Sequence, residues 1–451
     1  MTLDFQRFFK ASNPSKTLDL AKPEDRQYYI DFSPVRGGKI IQELKRTITR
    51  LAPDDPTCQL FTGHIGCGKS TELLRLKNEL EVEGFHVVYF ESSQDLDMAD
   101  VDISDILLAI AQRVSKSLEE IKINVQATGF RNLLQTVGRV LNAEVKSFKL
   151  KVPQVGDVGA STNEEGEFSL AFGIGEITAK AKDSREVRSL LRQYLEPQVN
   201  GILEALNKEL IEVAIKQLKQ LGKKGLVVIV DNLDRVDNIQ KPSGRSQPEY
   251  LFVDRGEQLN KLKCHVVYTI PLVLAFSNDL GGLTNRFGID PKILPMVRVK
   301  SKDGTRCEDG IALLRQMVMA RAFPDLNPQQ RLNSISEVFD TPNTLDRLCL
   351  VSGGHVRNLL VLLYRCLQKD DPPISYQCLE SVISQRRNEL SLAITPDEWE
   401  LLQQVARQKT VRGEDGYQAM LRSLFVFEYR DPDECWFDIN PVLAEAKELH
   451  S

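Results

Sequence analysis

Several features that would set the chain apart from ordinary globular proteins are missing from its sequence. No run of about 18 apolar residues occurs among its 451 residues, so no membrane-spanning helix is predicted. Residues 1–7 lack the apolar core of a signal peptide. The eight cysteines are scattered and none forms a CxxC pair, which favours reduced, mostly buried thiols in a cytoplasmic protein.

Positive charge is not in excess either, because 58 lysines and arginines stand against 63 aspartates and glutamates. The net charge of −5 gives no overall signature of a nucleic-acid-binding protein, although it leaves a local basic patch open. The apolar fraction of 42% is ordinary, and the chain is long enough for two or three domains with a large core.

The most informative segment is a glycine-rich stretch that matches the pattern G-x-x-x-x-G-K-S. Its glycines let successive backbone N–H groups point at a phosphate, and a helix that begins at the loop adds its positive end. An apolar strand candidate at 58–62 precedes the stretch and an amphipathic helix candidate at 72–80 follows it, as a phosphate-binding loop requires. The loop residues are Gly63, His64, Ile65, Gly66, Cys67, Gly68, Lys69, Ser70 and Thr71, of which Lys69 would reach the β- and γ-phosphates and Ser70 would bind Mg²⁺.

A second informative segment, residues 225–235, places a run of apolar residues directly before an acid. This pattern predicts a buried parallel strand with Asp231 at its C-terminal edge, where ligands bind in open α/β sheets. Downstream of a phosphate loop, such an aspartate is placed to hold the water shell of Mg²⁺. A third strand at 264–270 would bring Thr269 beside it. Thr269 can then contact the γ-phosphate or the attacking water, or it can simply be a β-branched residue that suits a strand end.

Residues 145–182 interrupt this alternation of helices and strands. Apolar residues alternate with others at 148–152 and again at 168–174, and glycine, serine, asparagine and glutamate fill the stretch between them. This pattern predicts a β-hairpin inserted into the α/β domain. Residues 1–26 are polar and predict irregular structure.

The C-terminal part has helical periodicity over 301–392, which predicts a helical lid. Within it, two glycines at 353–354 free a turn before a helix that begins near Arg357. From 393 onward, two helix candidates and a strand pair at 425–430 and 435–439 predict a winged helix. We therefore expect an α/β domain at 1–300, a lid at 301–392 and a winged-helix domain at 393–451.

In their order, these motifs resemble the AAA+ and STAND ATPases, including the initiator-like branch with winged-helix tails. The segment 231–235, D-N-L-D-R, is also similar to the D-D-L-D-R variant of KAP-type NTPases. KAP-type proteins carry membrane helices in an insertion, whereas 145–182 carries none, so the resemblance does not extend to membrane anchoring. Over nearly the whole chain it implies an α/β parallel-sheet P-loop NTPase core that uses ATP and Mg²⁺. The absence of a guanine-reading N-K-x-D sequence agrees with ATP.

The resemblance also implies roles for single residues around the nucleotide. Arg286 is the weakest of these, because surface arginines are common and a solvated arginine fits its sequence better. The implied roles are Lys69 and Ser70 for phosphate and Mg²⁺, Asp231 as the Walker B acid and metal ligand, Thr269 as sensor 1, Arg357 as sensor 2, Val35 and Arg36 as the adenine-contacting segment, and Arg286 as an arginine finger.

The sequence departs from the AAA+ pattern immediately after the Walker B aspartate. Many members have a glutamate there that orients water, whereas this chain has Asn232, whose amide cannot act as a base. Asp234 can take over that role, as in D-x-x-D relatives, or it can pair with Arg235 or Arg286. We therefore expect ATP hydrolysis to be slow, near the intrinsic rates of switch NTPases.

Three functions fit these expectations. In the first, which we favour, ATP ties the core to the lid through Lys69 and Arg357, and hydrolysis moves the winged helix against an unidentified protein partner. Nucleotide-dependent homo-oligomers are a further expectation of that reading. In the second, the winged helix binds DNA, but basic and acidic residues are interspersed in 398–434, and a DNA reader normally has a basic face. In the third, the chain is a scaffold that binds nucleotide without hydrolysing it.

Overall fold

A five-stranded parallel sheet forms the centre of the computed structural model, which describes residues 3–125, 127–132, 135–136, 170–431 and 434–449. The strand order is β2-β3-β4-β1-β5. Its strands are nearly continuous apolar runs because helices cover both faces of the sheet. The strands are β1 (Cys58–Gly63), β2 (His86–Glu91), β3 (Leu226–Asp231), β4 (His265–Thr269) and β5 (Lys292–Leu294).

Helices precede, connect and follow these strands. In the first two-thirds of the chain they are α1 (Phe5–Ala11), α2 (Pro23–Arg26), α3 (Ile40–Arg46), α4 (Lys69–Val82), α5 (Ser92–Asp95), α6 (Ile103–Glu120), α7 (Leu170–Asp183), α8 (Arg185–Leu195), α9 (Val199–Ala205), α10 (Glu212–Gln220) and α11 (Leu280–Phe287). The lid that follows comprises α12 (Glu308–Ala322), α13 (Pro328–Asn333), α14 (Pro342–Val351), α15 (Val356–Lys369) and α16 (Tyr376–Ser391). No helix in the described part of the chain is long and apolar enough to cross a bilayer.

The strand order brings the conspicuous sequence motifs to one edge of the sheet. Strand β4 lies between β1 and β3, with Phe61 opposite Thr269 and Val230 opposite Tyr268. The C-terminal ends of β1, β3 and β4 therefore meet, and the phosphate loop, Asp231 and Thr269 lie at these ends. The three strands predicted for this edge are confirmed.

The lid packs around a hydrophobic core of its own, to which the N-terminal segment contributes. Phe8 of α1 is fully buried among lid residues, and the ring of Phe9 stacks on Tyr364 with centroids 4.3 Å apart. The prediction that residues 1–26 are irregular is thus wrong for Phe5–Ala11. Burial of the aromatic side chains of that segment against the lid stabilises the helix, although most of the neighbouring residues are polar.

Two helices and a two-stranded hairpin follow the lid, as predicted for the tail. They are α17 (Pro396–Gln408), α18 (Asp415–Arg422), β6 (Val426–Arg430) and β7 (Cys435–Ile439), the strands being antiparallel. We refer to β6 and β7 as the C-terminal hairpin. Classification of this unit as a winged helix stays a prediction.

The predicted β-hairpin at 145–182 is wrong in its second arm. Residues 170–183 form α7, a helix that packs on α6 and buries Leu170, Ile174, Ile177 and Ala181. These residues recur at helical spacing, and the apparent alternation at 170–174 is the beginning of that longer stripe. The first arm at 148–152 and the tip between the arms lie outside the described residues.

Gly354 shows how tightly the lid is joined to the sheet domain. Its φ is +72°, and a Cβ there would lie 1.6 Å from the carbonyl oxygen of Val297, whose N–H donates to Gly354 O at 3.2 Å. We expect Gly354→Ala to lower the free energy of unfolding by more than ~3 kcal/mol, measured by urea denaturation, since backbone strain and a backbone clash add together.

Gly201 within α9 is the matched control for that substitution, because nothing lies within 4 Å of a Cβ built there. Gly201→Ala should leave stability unchanged or raise it by up to ~1 kcal/mol. Equal effects of the two substitutions would contradict the packing described for Gly354.

Candidate functional site

A cleft that opens to solvent lies between the phosphate loop, the N-terminal segment and the lid. The loop and the start of α4 form one wall, the turn after β3 borders it, and α12 and α15 close it from the lid side. Its lining residues are Pro14, Ser15, Lys16, Thr17, Leu18, Tyr28, Tyr29, Ile30, Phe32, Arg36, Ile65, Gly66, Cys67, Gly68, Lys69, Ser70, Thr71, Glu72, Asn232, Asp234, Arg235, Met317, Arg321, Val356, Arg357 and Leu360.

Lys69 is the cation at the base of the loop, and its side chain is almost fully buried. Its Nζ donates to the carbonyl oxygens of Gly63 at 2.7 Å and His64 at 2.9 Å, and lies 2.9 Å from Asp234 Oδ2. Burial on its own lowers the pKa of Lys69, but the nearby carboxylates, led by Asp234, leave that pKa above its ordinary value. Asp234 therefore holds Lys69 in its charged form.

The ion-pair partner of Asp234 is neither Arg235 nor Arg286, the two arginines that the sequence offered. Asp234 Oδ2 pairs with Lys69, and its other oxygen, Oδ1, is buried without a hydrogen-bond partner. Arg235 lines the cleft with an exposed side chain, and Arg286 lies on α11. The carboxylate thus has one oxygen still free to accept a hydrogen bond.

Asp231 ends β3 in a closely bonded carboxylate site. Tyr89 donates its hydroxyl to Asp231 Oδ2 at 2.8 Å, the Asn232 N–H donates to Oδ1 at 2.7 Å, and Ser70 contributes a further side-chain hydrogen bond. Burial, together with the charge of Asp234, raises the pKa of Asp231. Asn232 turns the chain in the left-handed conformation, with φ of +66°, which asparagine tolerates better than most residues.

Thr269 is fully buried at the end of β4, and its hydroxyl is occupied by backbone. Its Oγ1 accepts from the Leu233 N–H at 3.0 Å and donates to Val230 O at 3.4 Å. These bonds fix the turn that carries Asp234. Thr269 does not line the cleft, so its contact with a γ-phosphate or water stays a prediction.

The lid touches the phosphate loop directly through the start of α15. The Arg357 N–H donates to Gly66 O at 3.2 Å, and His355 Nε2 donates to Ile65 O at 2.8 Å. Gly66 permits this approach, because a Cβ there would lie 2.9 Å from both Arg357 Cβ and His355 Cε1. The Arg357 side chain lines the cleft, and burial, with the nearby charge of Arg235, lowers its pKa.

The other side of the loop contacts the C-terminal hairpin. His64 Nε2 accepts the Glu428 N–H at 2.9 Å, and Phe427 lies with its ring centroid 5.8 Å from that of His64 and 5.6 Å from that of His355. We call His64, His355 and Phe427 the loop junction, since they bring loop, lid and hairpin together. All three are buried.

The N-terminal and lid walls of the cleft carry aromatic and apolar side chains. Phe32 and Leu360 lie there, and Arg36 reaches in from the segment after Phe32 to donate to Cys67 O at 2.7 Å. Tyr29 donates to Glu72 Oε1 at 3.0 Å, which fastens this N-terminal wall to α4. Of the predicted adenine-contacting residues, Arg36 therefore lies in the cleft.

Six of the predicted site residues are absent from the described residues that line the cleft: Gly63, His64, Asp231, Thr269, Val35 and Arg286. The first four lie at the sheet edge beside the cleft, whereas Val35 and Arg286 lie elsewhere. Val35 is buried in the lid core instead. Arg286 lies on α11 with a side chain 42% exposed, where it donates from Nε to Val253 O at 3.0 Å and lies 3.7 Å from Glu257. Within one chain, Arg286 does not reach the cleft. Its role as an arginine finger therefore stays a prediction that needs a second copy of the chain.

Apart from Arg36 and Arg357, sequence reasoning missed the N-terminal and lid residues of the cleft. The aromatic run 28–32 was a signal, since it lies four residues before Arg36. Met317, Arg321 and Leu360 gave no signal, because they lie on helices whose apolar residues are accounted for by the lid core.

A model of the KAP family P-loop domain matches residues 38–241. Residues 38–241 form a KAP-type P-loop domain. The match spans β1, the phosphate loop and the D-N-L-D-R turn, which confirms the resemblance of that turn to the KAP pattern. No curated protein matches the chain.

Solved structures similar to this chain extend beyond the KAP-type domain but share little sequence with it. A Walker-type ATPase of Pyrococcus abyssi is 12% identical, with a TM-score of 0.41, over 98% of this chain and 100% of the other. The Aeropyrum pernix ORC2 protein, in ADPNP–ADP complexes, is 13% identical, with a TM-score of 0.43, over 100% and 97%. The Aeropyrum pernix ORC1 protein in complex with DNA is 12% identical, with a TM-score of 0.37, over 98% and 97%.

Both histidines of the loop junction are held in the neutral form. His355 Nδ1 accepts the Asn358 N–H at 2.9 Å while Nε2 donates. A second proton on the ring would have to sit on Nδ1, where it would repel the N–H of Asn358. His64 Nε2 accepts in the same way. Burial lowers the pKa of His64 well below its ordinary value and that of His355 to about 3.

Acid should therefore weaken the fold through these histidines. Below their ordinary pKa of 6.5 the unfolded chain binds protons that the folded chain does not, so stability falls as the pH falls from 6.5 towards 3. We expect each histidine to cost ~2 kcal/mol between pH 6.5 and pH 5, measured by urea unfolding. His355→Asn keeps a side-chain acceptor at the start of α15 but cannot titrate. This variant should therefore lose the part of the acid destabilisation that is due to His355. An unchanged pH dependence in that variant would contradict this account.

Proposed function

We propose that this chain binds ATP with Mg²⁺ in the cleft, hydrolyses it slowly, and uses its nucleotide state to control how the lid and the C-terminal hairpin contact the phosphate loop. A protein partner would respond to that change. The observation that carries the proposal is the bonding of three successive loop residues, His64 to the hairpin and Ile65 and Gly66 to the lid. A ligand that moves the loop backbone must alter these bonds.

Lys69 supports the first step, because its charge can pass from one anion to another. Without nucleotide its anionic partner is Asp234. Phosphate oxygens of ATP would replace that carboxylate, since a P-loop lysine lies within reach of the β- and γ-phosphates. The exchange would leave Asp234 free of its ion pair.

The residues around Ser70 and Asp231 fit Mg²⁺. They present a hydroxyl and a carboxylate, the oxygen ligands that this ion prefers, and a hydrogen bond already joins the two side chains. Ser70 would bind the ion directly and Asp231 would hold its water shell. Bound Mg²⁺ would neutralise charge on the phosphates. Tyr89 would keep Asp231 in place through its 2.8 Å hydrogen bond.

Asp234 is the proposed base for hydrolysis. Once separated from Lys69 it would accept a proton from the attacking water, for which its unpartnered Oδ1 is available. Asn232, which follows Asp231, has no such capacity. Reliance on a carboxylate that must first leave an ion pair is the physical reason to expect slow turnover.

Arg357 would report the bound phosphates to the lid. Its backbone is already bonded to the loop and its side chain lines the cleft, where a nearby arginine, Arg235, adds to the positive charge. A triphosphate would draw both guanidinium groups towards it.

The proposal also includes the predicted division of the chain into an α/β domain at 1–300, a lid at 301–392 and a winged helix at 393–451.

The proposal is tested by comparing Asp234→Asn with Lys69→Ala in the full chain. Asp234→Asn keeps the size of the side chain but removes the base, so it should retain ATP binding by calorimetry. Phosphate release should fall roughly 10²- to 10⁴-fold, the range typical of general-base loss. Lys69→Ala removes the phosphate contact itself and should lose both binding and hydrolysis.

Arg235→Gln is the matched control, because it changes a neighbouring cleft residue without removing the proposed base. It should retain measurable hydrolysis. Failure of the unmodified chain to bind ATP with Mg²⁺ would contradict the proposed function, and undiminished phosphate release by Asp234→Asn would contradict the role given to Asp234. Firm binding with background phosphate release in the unmodified chain would favour a non-hydrolysing scaffold.

A further inference from the structure

Arg321 is a buried cation on the lid wall of the cleft. It lies in the last turn of α12, is 4% exposed, and lines the cleft together with Tyr28, Met317 and Leu360. Among the described residues its guanidinium makes one hydrogen bond, to a backbone carbonyl, and it takes no part in the Lys69 and Asp231 sites.

The hydrogen-bonding capacity of Arg321 is mostly unused. Its Nη1 donates to Met317 O at 2.8 Å, but its buried Nε has no partner. Among the described residues, no carboxylate lies within ion-pair distance of its guanidinium. Burial lowers the pKa of Arg321 to about 10, and the nearby Tyr28 opposes that shift. A guanidinium in this state is destabilising unless an acceptor comes to it.

The end of α12 does not need Arg321 as a cap. A second arginine, Arg331, already serves the carbonyls that follow the helix, donating from Nε to Phe323 O at 3.1 Å and from Nη2 to Pro324 O at 2.8 Å. The two arginines therefore differ in kind. The donors of Arg331 are satisfied within the lid, whereas Arg321 presents an unpartnered donor where the cleft is lined.

The chemistry of this part of the cleft suits a flat, neutral group with acceptors on its edge. Apolar side chains such as Phe32, Met317 and Leu360 can cover the faces of a ring, and the guanidinium can donate to its edge. A purine base has this form, since its ring nitrogens accept hydrogen bonds on more than one edge. The phosphates of the nucleotide would lie beside Lys69, at the wall formed by the phosphate loop.

We propose that Arg321 donates a hydrogen bond to an acceptor on the edge of the purine base, and so makes the cleft prefer a purine nucleotide over a bare triphosphate. The inference rests on the proposed function, because it assumes that a nucleotide binds with its phosphates at Lys69. It adds the residue that recognises the base.

The test measures two ligands, ATP and inorganic tripolyphosphate, each with Mg²⁺, by calorimetry on the full chain and on Arg321→Met. Loss of one charge-assisted hydrogen bond should weaken ATP binding roughly 10- to 100-fold. Binding of tripolyphosphate should stay within about 2-fold, because it has no base. The melting temperature of the nucleotide-free variant should be equal or higher, since methionine removes an uncompensated buried charge.

Arg331→Met is the matched control, because Arg331 bonds to the carbonyls that follow α12, the helix that carries Arg321. It should lower the melting temperature, because it removes the side-chain donors to the Phe323 and Pro324 carbonyls, and it should not weaken ATP binding selectively. Equal losses of ATP and tripolyphosphate binding in Arg321→Met, or no loss of either, would overturn the proposal.

Base-modified nucleotides give a second test that needs no variant. If Arg321 reads the base, at least one ATP analogue that lacks a single ring nitrogen should bind the unmodified chain roughly 10-fold more weakly than ATP. Equal binding of the 1-, 3- and 7-deaza analogues would overturn the inference while leaving the proposed function intact. Failure of the unmodified chain to bind either ATP or tripolyphosphate would instead overturn the proposed function.

Discussion

The structure around the phosphate loop depends on the need of one buried ammonium group for an anion. Lys69 is enclosed by the loop it serves, with two loop carbonyls and Asp234 within 2.9 Å. A buried ammonium left without an anion costs several kcal/mol, so an incoming phosphate and Asp234 compete for the same position. This competition links occupancy of the cleft to the state of the carboxylate, and it explains why a residue after β3 can be both an internal counter-ion and a candidate base.

The loop backbone is also the place where the separate parts of the chain meet. His64, Ile65 and Gly66 bond in succession to the C-terminal hairpin, to His355 and to Arg357. Because both histidines are buried and neutral, each has one fixed donor and one fixed acceptor, so these bonds have little freedom to rearrange singly. A change in loop conformation is therefore expected to move lid and hairpin together, which is the physical basis of the proposed switch.

Local patterns predicted the sheet edge well because their signals are short and chemically strict. The loop, the strand before Asp231 and the strand that ends at Thr269 each depend on glycine, charge or apolar runs over fewer than a dozen residues. The helix at 170–183 was predicted as a strand because Leu170 and Ile174 fit both an alternating pattern and the i, i+4 spacing of a helix. The loop junction could not be predicted, since its His64–Glu428 bond spans 364 residues, and neither residue type signals such a contact. Arg321 was missed for the same reason, since its meaning depends on which groups surround it.

The most direct test of this account is hydrogen exchange at the backbone of β6, followed by mass spectrometry on a peptide that covers 424–431. Mg²⁺ with a non-hydrolysable ATP analogue should change exchange in this peptide, because the Glu428 N–H is held by His64 of the loop. The same addition to Lys69→Ala should change nothing. If calorimetry shows that the analogue binds the unmodified chain while exchange in 424–431 and at the start of α15 stays the same, the proposed coupling of loop, lid and hairpin is contradicted.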